Sequence, residues 1–285
     1  MENLNHYLEQ ARQGGYAIGH FNFSTADVLR GIIEASRDAG APAVMVGTSE
    51  GEADFVGTEE AVVLVKVMRE EYNFPVFLNA DHFKSFEKCK EAIDTGYDSV
   101  LIDGSNLPYN ENVAAVKKTV DYARSVNPNV SVEGELGYLR GSSEVQSKIE
   151  IGPDDYTKPE EAKDFVSKTG VDRLAVVFGN IHGIVTDQEE KLEIGHFSKI
   201  ISAEPKPYYV LHGASGLKDE DVSEAIKTGI VNVHFNTELR VAYKEGIHHV
   251  FHDKPSETTP YKFLSPAVEE VKKVVAQKVR LFMGK

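Results

Sequence analysis

Pro75-Val76-Phe77-Leu78-Asn79-Ala80-Asp81-His82-Phe83 is an apolar run that ends by presenting an acid and an imidazole side by side. A helical pattern over 85–95 follows at once. The stretch therefore reads as a buried strand whose C-terminal tip carries chemistry. Two later stretches have the same form, Asp172-Arg173-Leu174-Ala175-Val176-Val177-Phe178-Gly179-Asn180-Ile181-His182-Gly183 and Pro207-Tyr208-Tyr209-Val210-Leu211-His212-Gly213. Each is an apolar run with a histidine just past its end. Outward from these three, the same alternation fills the chain. Strand patterns fall at 16–22, 43–47, 75–80, 98–103, 129–133, 173–178, 208–211 and 230–235. Helical periods fall at 3–13, 24–38, 58–71, 85–95, 110–125, 159–169, 196–203 and 217–228, and two long helices from 238 and 266 close the chain. Eight strands, each followed by a helix, predict an α/β fold, a (β/α)8 TIM barrel rather than an open sheet. No linker or shift of composition divides residues 1–285, so they read as a single domain. The rhythm breaks only at 134–156, which is rich in Gly, Ser and charge and longer than an ordinary connection. Such a segment is expected to be a lid or disordered.

Composition narrows the classes of function. Of the 285 residues 41% are hydrophobic, enough for a globular core. No apolar run approaches the roughly 18 residues of a membrane span. The first residues, 1–16, lack the apolar centre of a secretory signal. The single cysteine, Cys89, lies in a helical period beside Lys88 and Lys90. It cannot form an internal disulfide, and it reads as a packing residue in a reducing, cytoplasmic protein. The net charge is −14, with no basic stripe. That argues against a nucleic-acid surface, and no membrane partner is expected. Anionic ligands remain open, because backbone amides and helix N-termini bind phosphate locally.

Active sites of such barrels sit where the strands end. Asn22, Ser49, Asp81, His82, Asp103, residues 133–137, His182, Gly183, His212, Gly213 and residues 234–237 share that location. A lone histidine at a strand end is usually a satisfied polar residue. Three in like positions on one face point to a metal: zinc favours imidazole, and a catalytic site uses three protein ligands with one position open. The other seven histidines lack the combination of strand, tip and glycine, and His248, His249 and His252 read as a solvated cluster. Asp81 could transfer protons at the substrate or orient a histidine. Gly213-Ala214-Ser215-Gly216-Leu217 leads into a helical period, and Asn236-Thr237 does the same after the eighth strand. Small residues there let backbone amides approach a phosphate.

These residues resemble the metal-dependent class II ketose-bisphosphate aldolases, which act on fructose- or tagatose-1,6-bisphosphate. The resemblance covers essentially the whole length. It rests on Asp81-His82, Val132-Glu133-Gly134-Glu135-Leu136-Gly137, Gly179-Asn180-Ile181-His182-Gly183 and Leu211-His212-Gly213-Ala214-Ser215-Gly216-Leu217. It implies a (β/α)8 barrel, a homodimer or higher homo-oligomer, with catalytic zinc on His82, His182 and His212. It implies Asp81 as the catalytic acid/base. It puts Gly183, Gly213, Ala214, Ser215, Asn236 and Thr237 at the dihydroxyacetone-phosphate end. Asp103 and Glu135 match positions that meet a second or displaced metal in some members, and a monovalent cation is a further possibility of the family. Asn22 and Ser49 match positions lining the substrate channel.

The sequence departs from the family in four places. The mobile loop reads Arg140-Gly141-Ser142-Ser143-Glu144, with Ser143 where a proton-transferring glutamate is usual and Glu144 one residue on. Glu144 is the expected second catalytic acid. His234 stands where an asparagine usually meets the substrate, and it is retained as a substrate-binding residue. Thr259-Pro260-Tyr261, with Lys262 next, replaces a common Asp-Pro-Arg, and Phe83 follows the metal histidine. The expected activity is cleavage of fructose 1,6-bisphosphate to dihydroxyacetone phosphate and glyceraldehyde 3-phosphate. Ser49-Glu50-Gly51 leans toward fructose-type rather than tagatose-type members. Two other classes stay open: a Schiff-base aldolase, for which the sixth strand offers no lysine and Lys84 merely follows a metal-type histidine, and a metal-holding sugar-phosphate binder without turnover.

Overall fold

The computed structural model describes residues 2–285. Helix α1 (Leu4–Gly14) precedes β1 (Ile18–Asn22), and α2 (Ala26–Asp38) leads to β2 (Val44–Thr48). Then come α3 (Glu50–Val56), α4 (Thr58–Tyr72), β3 (Val76–Phe83), α5 (Phe86–Thr95), β4 (Ser99–Ile102), α6 (Tyr109–Val126) and β5 (Ser131–Leu136). Beyond a short strand β6 (Gly141–Gln146) lie α7 (Pro159–Thr169), β7 (Arg173–Val176), β8 (His182–Val185), α8 (Ile194–Ala203) and β9 (Tyr208–Leu211). The chain ends with α9 (Asp219–Thr228), β10 (Ile230–Phe235), α10 (Thr237–Asp253) and α11 (Pro260–Phe282). Eight strands, β1, β2, β3, β4, β5, β7, β9 and β10, pair in parallel and close a barrel between β1 and β10. The fold is the (β/α)8 barrel that the alternation predicts.

Two apolar layers hold it. The larger lies between strands and helices and includes Phe21, Phe165, Phe178, Phe197 and Phe235. The smaller forms where α1 seals one end of the barrel: Leu4, Leu8 and Ala11 pack on Ile18, Met45, Phe77 and Val231. Asn3 accepts from the His6 amide at 3.0 Å to start α1, and Gly15, at φ 66°, ends it.

The barrel interior is polar where barrels are usually filled with branched apolar residues. Arg173 is fully buried there and bonds Glu133 and Ser99, with Asn232 and Asn79 each at 3.1 Å. Removing one member of a buried pair leaves the other charge without compensation, typically costing about 3–5 kcal/mol. Arg173→Met is therefore expected to destabilise the protein by about 3 kcal/mol. Urea unfolding of the two proteins checks this, and equal midpoints and slopes would contradict it.

Three expectations are corrected. Residues 50–56 form a helix that the strand–helix alternation did not require, capped by Ser49 and Glu52. The segment 134–156 is not disordered: β6 within it pairs in parallel with β8 across the barrel mouth, Gly141 opposite His182 and Val145 opposite Ile184. The last helix begins at Pro260 rather than 266, with Pro266 inside it. Pro260 occupies the first turn, where its missing N–H costs nothing.

Candidate active site and metal centre

Asp81 and His82 are neighbours on β3, so a regular strand would send them to opposite faces. The register against β4 slips between Ala80 and Phe83, and His82 adopts φ 52°. An extra residue in a strand bends it and re-aims its side chains. Left-handed backbone is rare outside glycine, and it persists where surrounding structure enforces it. The bulge turns both side chains toward the barrel mouth, where both line one cleft.

His182 and His212 arrive from β8 and the tip of β9. The loop tips between them are joined by Asn180, which donates to the His212 carbonyl at 3.1 Å while its own oxygen accepts from the Phe178 amide at 2.9 Å. Close approach requires glycine after each histidine. Gly213 has φ 67°, and a Cβ there would overlap the Ile181 carbonyl. Gly183 has φ 94°, and a Cβ would overlap the carbonyls of Ser142 and Glu144 on β6.

The three imidazoles offer nitrogens that all lie within 4.8 Å of one another. His82 Nε2 and His212 Nδ1 face each other at 2.9 Å. The opposite nitrogens are held by acids: His82 Nδ1 lies 3.0 Å from Asp103 Oδ2, and His212 Nε2 lies 2.7 Å from Glu133 Oε1. A carboxylate behind each ligating imidazole fixes its tautomer and orientation, as metal sites require. Glu135 Oε2, buried without a hydrogen-bond partner among the described residues, lies 3.4 Å from His82 Nδ1. The donor set thus fits a divalent cation. Burial alone would lower the His82 pKa, but Asp81, Asp103 and Glu135 raise it to about 10. The same negative field would favour a bound cation. Burial, then the neighbouring His82 and His212, holds His182 well below the usual range, in the neutral form a ligand needs. Burial, followed by the Asp103 charge, pushes Glu135 up to about 7.

Asp81 stands beside this centre, 6% exposed. Asn22 Nδ2 donates to its Oδ2 at 3.0 Å, and His234 Nδ1 lies 3.2 Å from its Oδ1. Burial would raise its pKa, but the fields of His82, His234 and His20 outweigh it and hold the carboxyl well below the usual range.

Asp81, the three histidines, Asn22, Gly183, Gly213, Ala214, Ser215, His234, Asn236 and Thr237 line an inner cleft. It meets an outer cleft of about 330 Å³, to which Ser49, Asp103 and Glu135 contribute. Of the expected site residues, only Glu144 lines neither: it is exposed on β6, while its neighbour Ser143 lines both. The phosphate-type loop at 213–217 does not run straight into a helix, since α9 begins at Asp219 with three acids in its first turn. Helix α10, by contrast, starts at Thr237 in the cleft.

Several contacts at the site were not expected from the sequence. Lys84, in the outer cleft, bonds Asp103. Glu133 backs His212. His20, fully buried in mid-β1, stacks on His234 with ring centroids 3.7 Å apart. Glu52 and Arg240 meet at the cleft rim, 2.7 Å apart. A histidine inside a strand carries no tip or glycine signal, and Arg240 lies within a helix, so only the pattern Ser49-x-x-Glu52 was available as a cue.

Comparison with known proteins places the chain in a family. The family model described as "Fructose-bisphosphate aldolase class-II" matches residues 2–285. A Staphylococcus aureus protein named fructose-bisphosphate aldolase is 36% identical over 283 residues, covering 98% of this chain and 96% of its own. A protein of the same name from Staphylococcus epidermidis matches with the same identity and coverage. Among solved structures, the YdjI aldolase from Escherichia coli K12 is 30% identical, with TM-score 0.84 over 99% of this chain and 97% of that one. Fructose-bisphosphate aldolase from Campylobacter jejuni shares the fold at TM-score 0.81 and 19% identity, over 98% of this chain and 93% of that one. The chain belongs to the class II fructose-bisphosphate aldolase family, whose members are lyases.

Proposed function

We propose that this protein reversibly cleaves fructose 1,6-bisphosphate to dihydroxyacetone phosphate and glyceraldehyde 3-phosphate, with zinc held by His82, His182 and His212. The observation that carries this reading is the convergence of those three imidazoles beside the buried carboxyl of Asp81.

In the cleavage direction, Asp81 takes the proton of the C4 hydroxyl as the C3–C4 bond breaks and that oxygen becomes the aldehyde. Asn22 holds the carboxylate in place from one side and His234 flanks it on the other. The bound ion supplies Lewis-acid stabilisation of the negative charge left on the three-carbon fragment. Amides at Gly183, Gly213, Ala214 and Ser215, with Asn236 and Thr237 at the start of α10, seat the phosphate of that fragment. Ser49 and His234 shape the space for the rest of the sugar. Glu144, carried on β6, delivers the second proton to carbon when the loop strand turns inward. Asp103 and Glu135 orient His82 through its Nδ1 and offer a place for a second or displaced cation.

Glycolysis or its reversal, in the cytoplasm, is the setting this reaction suggests. It acts as a homodimer: Val63, Val67 and Tyr261 are exposed beside an apolar groove between α2, α4 and the start of α11.

A coupled assay for dihydroxyacetone phosphate, run on fructose and tagatose bisphosphates with and without chelator, tests the function. Chelator-sensitive cleavage, faster on the fructose compound, is expected. Tight substrate binding by the metal-loaded protein without cleavage would favour the binder instead, and borohydride trapping of substrate would favour a Schiff-base enzyme.

A further inference from the structure

Glu52 is a carboxylate only 7% exposed at the rim of the site, and it meets more donors than a helix cap needs. Its Oε2 accepts from the Ser49 amide at 2.8 Å, and the Glu52 amide returns a bond to Ser49 Oγ at 3.4 Å. That reciprocal pair alone would start α3. The same Oε2 also accepts from Asn22 Nδ2 at 2.8 Å, and Oε1 accepts from the Arg240 guanidinium at 2.7 Å. Burying a carboxylate costs free energy unless it is paired and hydrogen-bonded, and here the pairing runs in two directions.

Inward, the Asn22 amide is shared. Its single nitrogen donates to Glu52 Oε2 and, at 3.0 Å, to Asp81 Oδ2. Two carboxylates on one –NH2 fix which way the amide faces, so Glu52 sets the group that holds Asp81. Outward, the other arm of Arg240 donates to the Ser143 carbonyl at 3.3 Å. Ser143 lies on β6, the strand across the barrel mouth, beside Glu144. One carboxylate thus ends a chain from Asp81 through Asn22 and starts a chain through Arg240 to the loop.

We infer that Glu52 is a positioning residue that couples the orientation of Asp81 to the closed position of the β6 loop. The inference rests on the aldolase reading for its catalytic half and on geometry alone for its loop half. With the loop down, Arg240 is held between Ser143 and Glu52, and Glu52 in turn holds Asn22 against Asp81. With the loop away, Arg240 loses its carbonyl partner and the rim carboxylate loses a fixed cation. The acid is then held firmly only when β6 lies across the barrel mouth, ahead of the inward turn that brings Glu144 to carbon.

Glu52→Gln separates this role from capping, because glutamine at the third helical position still closes the capping box. It has one acceptor oxygen for two branches, so either Arg240 or Asn22 loses its bond. Arg240→Met removes the loop branch alone. Two readouts apply. The first is native-state trypsin nicking after Arg140 and Lys148, which needs no substrate. The second is kcat and KM of the metal-loaded enzyme. Both variants are expected to speed nicking on the order of tenfold, about what a charge-assisted hydrogen bond contributes. The double variant should be no faster than the singles. In Glu52→Gln, kcat should fall roughly 10–100-fold with a smaller change in KM, the size expected for misplacing a catalytic group. Metal content and thermal midpoint should stay those of the wild type. Faster nicking with unchanged kcat, or lower kcat with unchanged nicking, would overturn the coupling. A wild type inert on the bisphosphate would sink the aldolase reading, while the nicking comparison would still decide whether Glu52 holds the loop.

Discussion

Asp81→Asn is expected to lower kcat for cleavage by roughly 10²–10⁴-fold, the range for a general acid–base group, while leaving KM and metal content near wild type. The substitution is nearly isosteric. It keeps one acceptor for Asn22, 3.0 Å away, and leaves the backbone bulge that aims His82 unchanged. What it removes is the ability to accept a proton. The wild-type carboxyl is buried, which would favour its neutral form, but three surrounding imidazoles more than offset that and keep it ionised. That carboxylate lines the cleft, where it can accept the proton of a hydroxyl and return it in the reverse direction. Steady-state kinetics on fructose 1,6-bisphosphate check the prediction. A kcat close to wild type would remove Asp81 from the proton transfer.

The other large effect is at the metal. His212→Ala deletes one of three imidazoles and strands the Glu133 oxygen that lay 2.7 Å from it. Losing only an outer carboxylate from a ligating histidine costs roughly 10–100-fold in metal affinity or activity, so losing the ligand itself should cost more. Activity is expected to fall below detection at metal concentrations that saturate the wild type. Because Glu133 keeps its bond to Arg173, the variant should fold. Metal analysis after gel filtration, with circular dichroism as the control for folding, reads the outcome. Stoichiometric metal retained with full activity would exclude His212 from the centre.

Much of this arrangement was legible in the chain. The runs ending at His82, His182 and His212 each combine an apolar strand with a terminal imidazole, followed by glycine in the last two, and that pattern located both the barrel and its mouth. The side-by-side placement of Asp81 and His82 was legible as a departure at a strand tip. The bulge that produces it depends on pairing with β4, which no local pattern records. His20 was not legible because it lies within β1, where nothing distinguishes a residue facing the barrel axis from one facing a helix. Arg173 carried no signal of its own within its strand pattern, and its five-way burial depends on Ser99, Ser131, Glu133, Asn79 and Asn232 from other strands. The β6 strand was hidden by its composition: Gly141-Ser142-Ser143-Glu144 has low strand propensity, and only β8, some forty residues on, supplies the partner.

X-ray absorption at the zinc edge on protein loaded with one equivalent of zinc tests the central claim most directly. The account predicts three imidazole nitrogens around the ion in the wild type and fewer in His212→Ala. A spectrum fitted by fewer than three imidazoles in the wild type, or unchanged by that substitution, would contradict it.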